Sequence, residues 1–211
     1  MATIDLNSGS QSEHIAHAAT ALKDGYVIVV PLENSYALVA DAFFHDAVRS
    51  LHVLRGDALG VAAQVLISSP AAIDGIAREV SDVARALMTN FWPGLLSLNL
   101  KPQRGLNWDL GDGQQLDLIS VRVPAAEFIL ELTKVHGPIA IASAALVGKP
   151  AISDPADLNF SEVEVAAIYS AGPLEQGPAS TVVACDGDLP RIVRIGAISA
   201  EQITAIAPDI S

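Results

Sequence analysis

A single cysteine, Cys185, in 211 residues leaves no partner for an internal disulfide and no thiolate set for a metal cluster. Basic residues are also scarce. Twelve Lys and Arg face 24 Asp and Glu, a net charge of −12 at pH 7, and no run of basic residues occurs. That balance repels phosphate backbones and anionic lipids, so direct binding to nucleic acid or membrane is disfavoured. No apolar run approaches the roughly 20 residues of a spanning helix. The opening MATIDLNSGSQSEH lacks the basic-then-apolar order of a secretory signal, so the cytoplasm is the expected location. Repeats, low-complexity tracts and linkers are missing, which favours one domain. There is no Gly-rich phosphate loop, nucleophile elbow or zinc signature. The five histidines are too dispersed to predict a metal site; His14 and His17, one turn apart, are expected at the surface.

What the chain has in quantity is apolar residues. It is 51% hydrophobic and 17% charged, enough to bury a large core. Ser12–Lys23 carries Ile15, Ala18, Ala19 and Leu22 at helical spacing, with Gly25 as a stop. Tyr26–Val30 is apolar at consecutive positions, as in a strand covered on both faces, and Pro31 is expected to end it. A polar break, Leu32 to Tyr36, precedes an extended stretch over Ala37–Ala42. Ala47, Val48, Leu51 and Leu54 mark a short helix, and Gln64–Ser68 a strand. Ala71–Ala77 and Ser81–Phe91 read as helices, the second capped by Ser81. Leu95–Leu100 alternates as a strand with one wetter face. A loop with Trp108 spans Gly105–Gly113, and a strand over Leu116–Val123 carries Arg122. Pro124 opens a helix through Leu132. Beyond the middle of the chain, Ser153–Glu164 predicts a short helix plus loop. Short strands follow at Ala166–Ser170, Thr181–Ala184 and Arg191–Ile195, and a last helix at Ser199–Ile206. Trp92 is expected in the core or at a helix end, and Cys185 as a small buried hydrophobe. Irregular alternation of strands and helices points to a mixed sheet with covering helices.

The pivotal stretch is Pro138–Pro150, PIAIASAALVGKP. Ile139–Ala142 predicts a buried strand, and the small-residue turn from Ser143 to Gly148 offers approachable backbone amides for a phosphate or carboxylate. An ordinary tight connection is the alternative.

Several segments in order resemble the YrdC-like family, the threonylcarbamoyl-adenylate synthases and their relatives. Pro31-Leu32-Glu33-Asn34-Ser35-Tyr36-Ala37-Leu38 is similar to that family's Pro-Thr-Asp-Thr-Val-Tyr-Gly-Leu. Arg55-Gly56-Asp57-Ala58 stands where the family has Lys-Gly-Arg-Pro. Phe91-Trp92-Pro93-Gly94-Leu95-Leu96-Ser97 follows Phe-Trp-Pro-Gly-Pro-Leu-Thr. Ala142-Ser143-Ala144-Ala145, with Gly148 and Pro150, matches Thr-Ser-Ala-Asn-x-Ser-Gly-x-Pro. Ser120 to Pro124, Ser180 to Val183 and Arg194 to Ile198 fit further signatures. The likeness covers about Ala18 to the carboxyl end.

The resemblance implies one α/β domain with a twisted open mixed sheet and covering helices, without the extra carboxyl-terminal domain of longer members. It implies joining of threonine, bicarbonate and ATP into threonylcarbamoyl-adenylate and pyrophosphate, with Mg2+. Another protein then moves the group to a tRNA adenosine, so tRNA-modification proteins are implied partners. Some relatives are described as binding double-stranded RNA, which the −12 charge disfavours here.

By resemblance Arg55, Ser143, Ser180 and Arg194 contact the nucleotide, Arg55 and Ser143 acting in catalysis. Asn34, Tyr36 and Arg122 form a pocket for a threonine-like substrate. On their own chemistry Arg122 could clasp a carboxylate or make a strand-end ion pair. Ser180 could be a strand-start hydroxyl, and Arg194 a surface ion pair. Asp57 is expected in a solvated loop, with magnesium ligation as the alternative. Beside a triphosphate its charge would oppose binding, since unit charges about 4 Å apart repel by roughly 4 kcal/mol at an effective dielectric of about 20. Asp57, Ala142 and Ala145 replace groups of the family pattern. They motivate a second reading, a non-catalytic domain that binds a nucleotide, a metabolite or RNA.

Overall fold

The computed structural model describes residues 2–187 and 189–210. The first half contains β1 (Ala2–Asp5), α1 (Gln11–Lys23), β2 (Ile28–Pro31), β3 (Tyr36–Asp41), α2 (His45–Arg55), β4 (Gln64–Leu66), α3 (Ile73–Ile76), α4 (Asp82–Phe91) and β5 (Leu96–Leu100). The second contains β6 (Ile119–Arg122), α5 (Glu127–His136), β7 (Ile139–Ser143), β8 (Ala167–Ser170), β9 (Thr181–Ala184), β10 (Arg191–Arg194) and α6 (Ala200–Ile206). The strands form one mixed sheet in the order β1-β8-β2-β3-β7-β4-β6-β5-β9-β10. Parallel pairs (β1/β8, β2/β8, β4/β6, β5/β9) are interspersed with antiparallel ones. No helix among the described residues is long and apolar enough to cross a membrane.

Covering both faces explains the unbroken apolar runs. Successive strand residues point to opposite sides. Ile28 and Val30 pack with Ile15, Ala18 and Leu22 of α1 and Phe128, Ile129 and Leu132 of α5. Val29, between them, joins the other core with Leu38, Ala40, Val65, Val48 and Leu51 of α2, and Leu87 of α4. A strand with both neighbours apolar therefore needs no alternation. The cap expected at Ser81 is present, its hydroxyl accepting from the Ala84 amide, and Ser199, expected as the first residue of the last helix, instead caps it in a capping box with Gln202.

Several expectations need correction. The strand expected over Tyr26–Val30 includes Pro31, which pairs with Tyr36 at its final position, where the missing N–H breaks no continuing ladder. The helix expected over Ala71–Ala77 splits into a 3-10 turn, Pro70–Ala72, and the short α3, because Ala77 goes extended to bridge Pro102. On the face of Leu95–Leu100 expected to be wetter, Asn99 is half-buried but Ser97 is fully buried in a hydrogen-bonded network. The helix expected to begin at Pro124 begins at Glu127, since the Ala125 amide is drawn out to the Glu33 carboxylate. Between Ser153 and Glu164 the only helical turn is Pro155–Asp157. β1 carries no local signal and exists by pairing with β8, about 165 residues away. His17, expected to be solvated, is exposed but hydrogen-bonds the Tyr169 hydroxyl at 2.6 Å.

Trp92 is buried and its indole N–H donates to the Leu96 carbonyl at 2.7 Å. Cys185 is buried, and burial, reinforced by nearby Asp186, pushes its thiol up to about 11. Its thiolate fraction at pH 8 is then about a hundredfold below that of the unfolded chain. Alkylation with iodoacetamide at pH 8 is expected to be correspondingly slow until denaturant is added. Equal rates in native and unfolded protein would contradict the burial.

Candidate active site

The end of α2 builds one wall of the site. Gly56 takes a left-handed conformation (φ 75°) that favours glycine, and closes a Schellman turn. Its amide donates to the Val53 carbonyl at 3.1 Å, and the Asp57 amide donates to the His52 carbonyl at 3.0 Å. This turn folds Asp57 back beneath the helix. Its Oδ2 hydrogen-bonds His52 Nδ1 at 2.8 Å, and its Oδ1 lies 3.4 Å from Arg55 Nη1. The Asp57 side chain is 4% exposed, so the expectation of a solvated loop carboxylate is wrong: the left-handed turn aims it inward. Arg55, the last residue of α2, is anchored through its carbonyl, which accepts from the Val147 amide at 3.0 Å.

That bond joins α2 to the turn after β7. Ser143 ends β7 and pairs with Ala37; its hydroxyl accepts from the Ala145 amide at 3.1 Å. The Ala144 amide donates to the Tyr36 carbonyl, and that of Lys149 to Leu146. The sequence suggested that this turn would present its amides to an anion. Within it the amides of Ala144, Ala145 and Val147 are engaged within the chain, which narrows what the turn can offer an anion to Leu146 and Gly148.

Arg122, at the end of β6, is 2% exposed and donates from Nη1 to both Glu33 carboxylate oxygens at 3.1 and 3.0 Å. Of the two sequence readings of Arg122, an ion pair is formed, yet its Nε remains buried without a partner, as does Arg55 Nε. Buried guanidinium N–H groups rarely stay unpaired, and both arginines line the same cavity. Asn34 donates to the Pro178 carbonyl at 2.8 Å and pins its loop to the segment before β9. The Tyr36 hydroxyl is engaged with the 171–172 turn, donating to the Gly172 carbonyl and accepting from the Ala171 amide. Tyr36 is thus a wall of the site, with its hydroxyl directed away from it.

On the far side a register irregularity between Ile192 and Arg194 sets Arg194 opposite Val182. Bulges of this kind re-aim side chains. Arg194 donates to the Ser180 carbonyl from Nη2 and Nε and to its hydroxyl from Nη2. Ser180 Oγ in turn accepts from Ser97 at 2.9 Å, and Gln64 donates to Ser97 at 2.7 Å and to Ser120 at 3.2 Å.

All seven residues singled out from sequence, Asn34, Tyr36, Arg55, Arg122, Ser143, Ser180 and Arg194, line one cavity of about 340 Å³. Glu33, His52, Gln64 and Ser120 lie among them and were not singled out as ligand contacts. Ser97 does leave a trace in sequence, as a polar residue inside an apolar strand, because a buried polar group demands a partner. Gln64→Leu, which leaves the Ser97 and Ser120 hydroxyls short of a donor, is expected to cost about 1–2 kcal/mol. The readout is a lower urea midpoint at unchanged m; an unchanged midpoint would contradict the network.

Neither acidic residue beside the cavity suits a magnesium ion. Glu33 is held by Arg122 and the Ala125 amide, and Asp57 by His52 and Arg55. Among the described residues no three His, Cys, Asp or Glu side chains group as a metal site. The magnesium alternative for Asp57 therefore does not fit these contacts.

The profile of the Sua5/YciO/YrdC family, described as "Telomere recombination", matches residues 20–196. The chain belongs to this family. Its members include a Mycobacterium tuberculosis relative, provisionally named a threonylcarbamoyl-AMP synthase, 35% identical over 93% of this chain and 90% of its own length. Bacillus subtilis threonylcarbamoyl-AMP synthase is 33% identical over 91% of the chain, which spans 56% of that relative. The structure of Pyrococcus abyssi Sua5 complexed with L-threonine superposes with a TM-score of 0.87 at 26% identity, over the whole of this chain and 62% of the other. The chain thus spans little more than half of these two longer family members. The YrdC-like fold inferred from the motif order is the one observed.

Proposed function

We propose that this chain is a threonylcarbamoyl-AMP synthase. In this reading the threonine amine and bicarbonate condense with loss of water to a carbamate. A carbamate oxygen then attacks the α-phosphorus of ATP, the bond to the bridging oxygen breaks, and pyrophosphate leaves. The observation that carries the reading is the convergence of the seven residues on one cavity. The names of relatives at 33–37% identity support it over the non-catalytic alternative, which they do not favour.

The residues divide by charge. Arg55 and Arg194 face the triphosphate, where negative charge moves onto the leaving pyrophosphate, and Ser143 and Ser180 supply hydroxyls. Arg122 takes the amino-acid carboxylate between Asn34 and the Tyr36 wall. Magnesium accompanies ATP as the counter-ion of its phosphates rather than in a protein cage. The mixed anhydride passes to a separate tRNA-modification protein, so the −12 chain has no need to grip tRNA itself.

The test is pyrophosphate release from ATP and Mg2+ with and without threonine and bicarbonate, together with the mass of the product. Release that needs both, with threonylcarbamoyl-AMP formed, is the expected result. Release indifferent to threonine would contradict the proposal.

A further inference from the structure

Asp57 is a buried carboxylate directly behind two residues, His52 and Arg55, that line a cavity whose proposed ligand is polyanionic. A bare negative charge there would weaken binding, yet every contact of this side chain leads to a group lining the cavity. Oδ1 faces Arg55, and Oδ2 meets His52 Nδ1. His52 is fixed from its other side as well. Its Nε2 lies 2.7 Å from the Leu110 carbonyl, an acceptor only, so this nitrogen carries a proton. The ring packs so closely on the following loop that a Cβ at Gly111 (φ 102°) would lie 2.3 Å from Nε2. His52 therefore spans two loops, 109–113 and 56–58, and its ring lines the cavity beside Arg55.

We propose that Asp57 is a positioning residue: through His52 and Arg55 it fixes the phosphate-binding end of the cavity and strengthens anion binding. It does so although its own charge repels the ligand. The proposal rests on the reading of the cavity as an ATP site. It differs from a purely electrostatic role in the sign of its effect. Asp57→Ala removes both tethers, whereas Asp57→Asn removes the charge and keeps an oxygen for Arg55; its N–H replaces the contact to His52 with the direction reversed, the ring then accepting at Nδ1 and keeping its proton on Nε2.

Calorimetric titration of the full chain with Mg-ATP separates the cases. Asp57→Ala is expected to weaken binding about tenfold, the scale of a ligand-binding group displaced by a fraction of an ångström. Asp57→Asn is expected to stay within about threefold of wild type, having kept the geometry. Tighter binding in both variants would mean that the carboxylate only repels, and unchanged binding in Asp57→Ala would mean that it holds nothing in place; either overturns the proposal. If Asp57→Ala does not fold, His52 supplies the comparison. His52→Asn places its amide near Nδ1 and keeps the bond to Asp57, whereas His52→Gln reaches toward Leu110 and loses it. Asn is expected to bind ATP about tenfold more tightly than Gln, and equal affinities would overturn the proposal. Wild-type protein that binds neither ATP nor inorganic pyrophosphate would overturn the proposed function and this inference together. Wild-type binding with no difference among the variants would overturn the inference alone.

Discussion

Arg55→Ala is expected to lower pyrophosphate release by about a hundred- to a thousandfold, the usual effect of deleting one group that meets developing charge in a dry site. Arg55 is the residue on which the two best-anchored parts of the site converge. Its backbone carbonyl is tied to the turn after β7 through Val147, and its guanidinium sits against Asp57 with Nε unpartnered. The loss should appear in the rate of the bound complex measured in single turnover, with little change in folding, because the side chain is about one-third exposed. Arg55→Lys keeps the charge and loses the planar fork, so an intermediate rate is expected. A variant within threefold of wild type would remove Arg55 from the machinery.

Arg122 carries the largest expected effect on stability. Its guanidinium is buried, and the Glu33 side chain it engages is 16% exposed. Arg122→Met leaves that carboxylate with the Ala125 amide as its remaining hydrogen-bond donor. Removing one partner of a buried pair costs about 3 kcal/mol or slightly more. Replacing both charges, as in Glu33→Gln with Arg122→Met, should recover most of that loss, because no uncompensated buried charge remains. Urea midpoints of the two single variants and the double variant measure this. A double variant no more stable than Arg122→Met would show that packing, not the orphaned charge, sets the cost. The ion pair also aligns the entrance of α5, since Glu33 holds both Arg122 and the extended residues before Glu127. A displaced α5 in the Arg122→Met variant would follow from the same contacts.

The parts of the fold written in local pattern were legible in the sequence. α1 shows its apolar stripe, α4 carries its serine cap, and β7 is an unbroken apolar run between a proline and a small-residue turn. The site residues were legible as segments in a particular order, and the structure brings them to a common hollow. What was not legible depends on pairings between distant strands. Gln64, Ser120, Ser97 and Ser180 sit on or beside β4, β6, β5 and β9, neighbours in the sheet but scattered over 117 positions of chain. No local spacing announces such a network. Asp57 was misjudged for a related reason. Its direction is set by the left-handed Gly56 and by a histidine five residues earlier, and its burial by a loop more than fifty residues away. The sequence shows a glycine followed by an aspartate, which reads equally well as an exposed turn.

A crystal grown with ATP, Mg2+ and L-threonine tests the central claim most directly, because it asks whether these residues hold a nucleotide and an amino acid together. The account predicts phosphate oxygens at Arg55 and Arg194, the threonine carboxylate at Arg122, and Asp57 still turned toward His52. Ligand density elsewhere on the surface, or a nucleotide bound with no contact to Arg55 or Arg194, would contradict it.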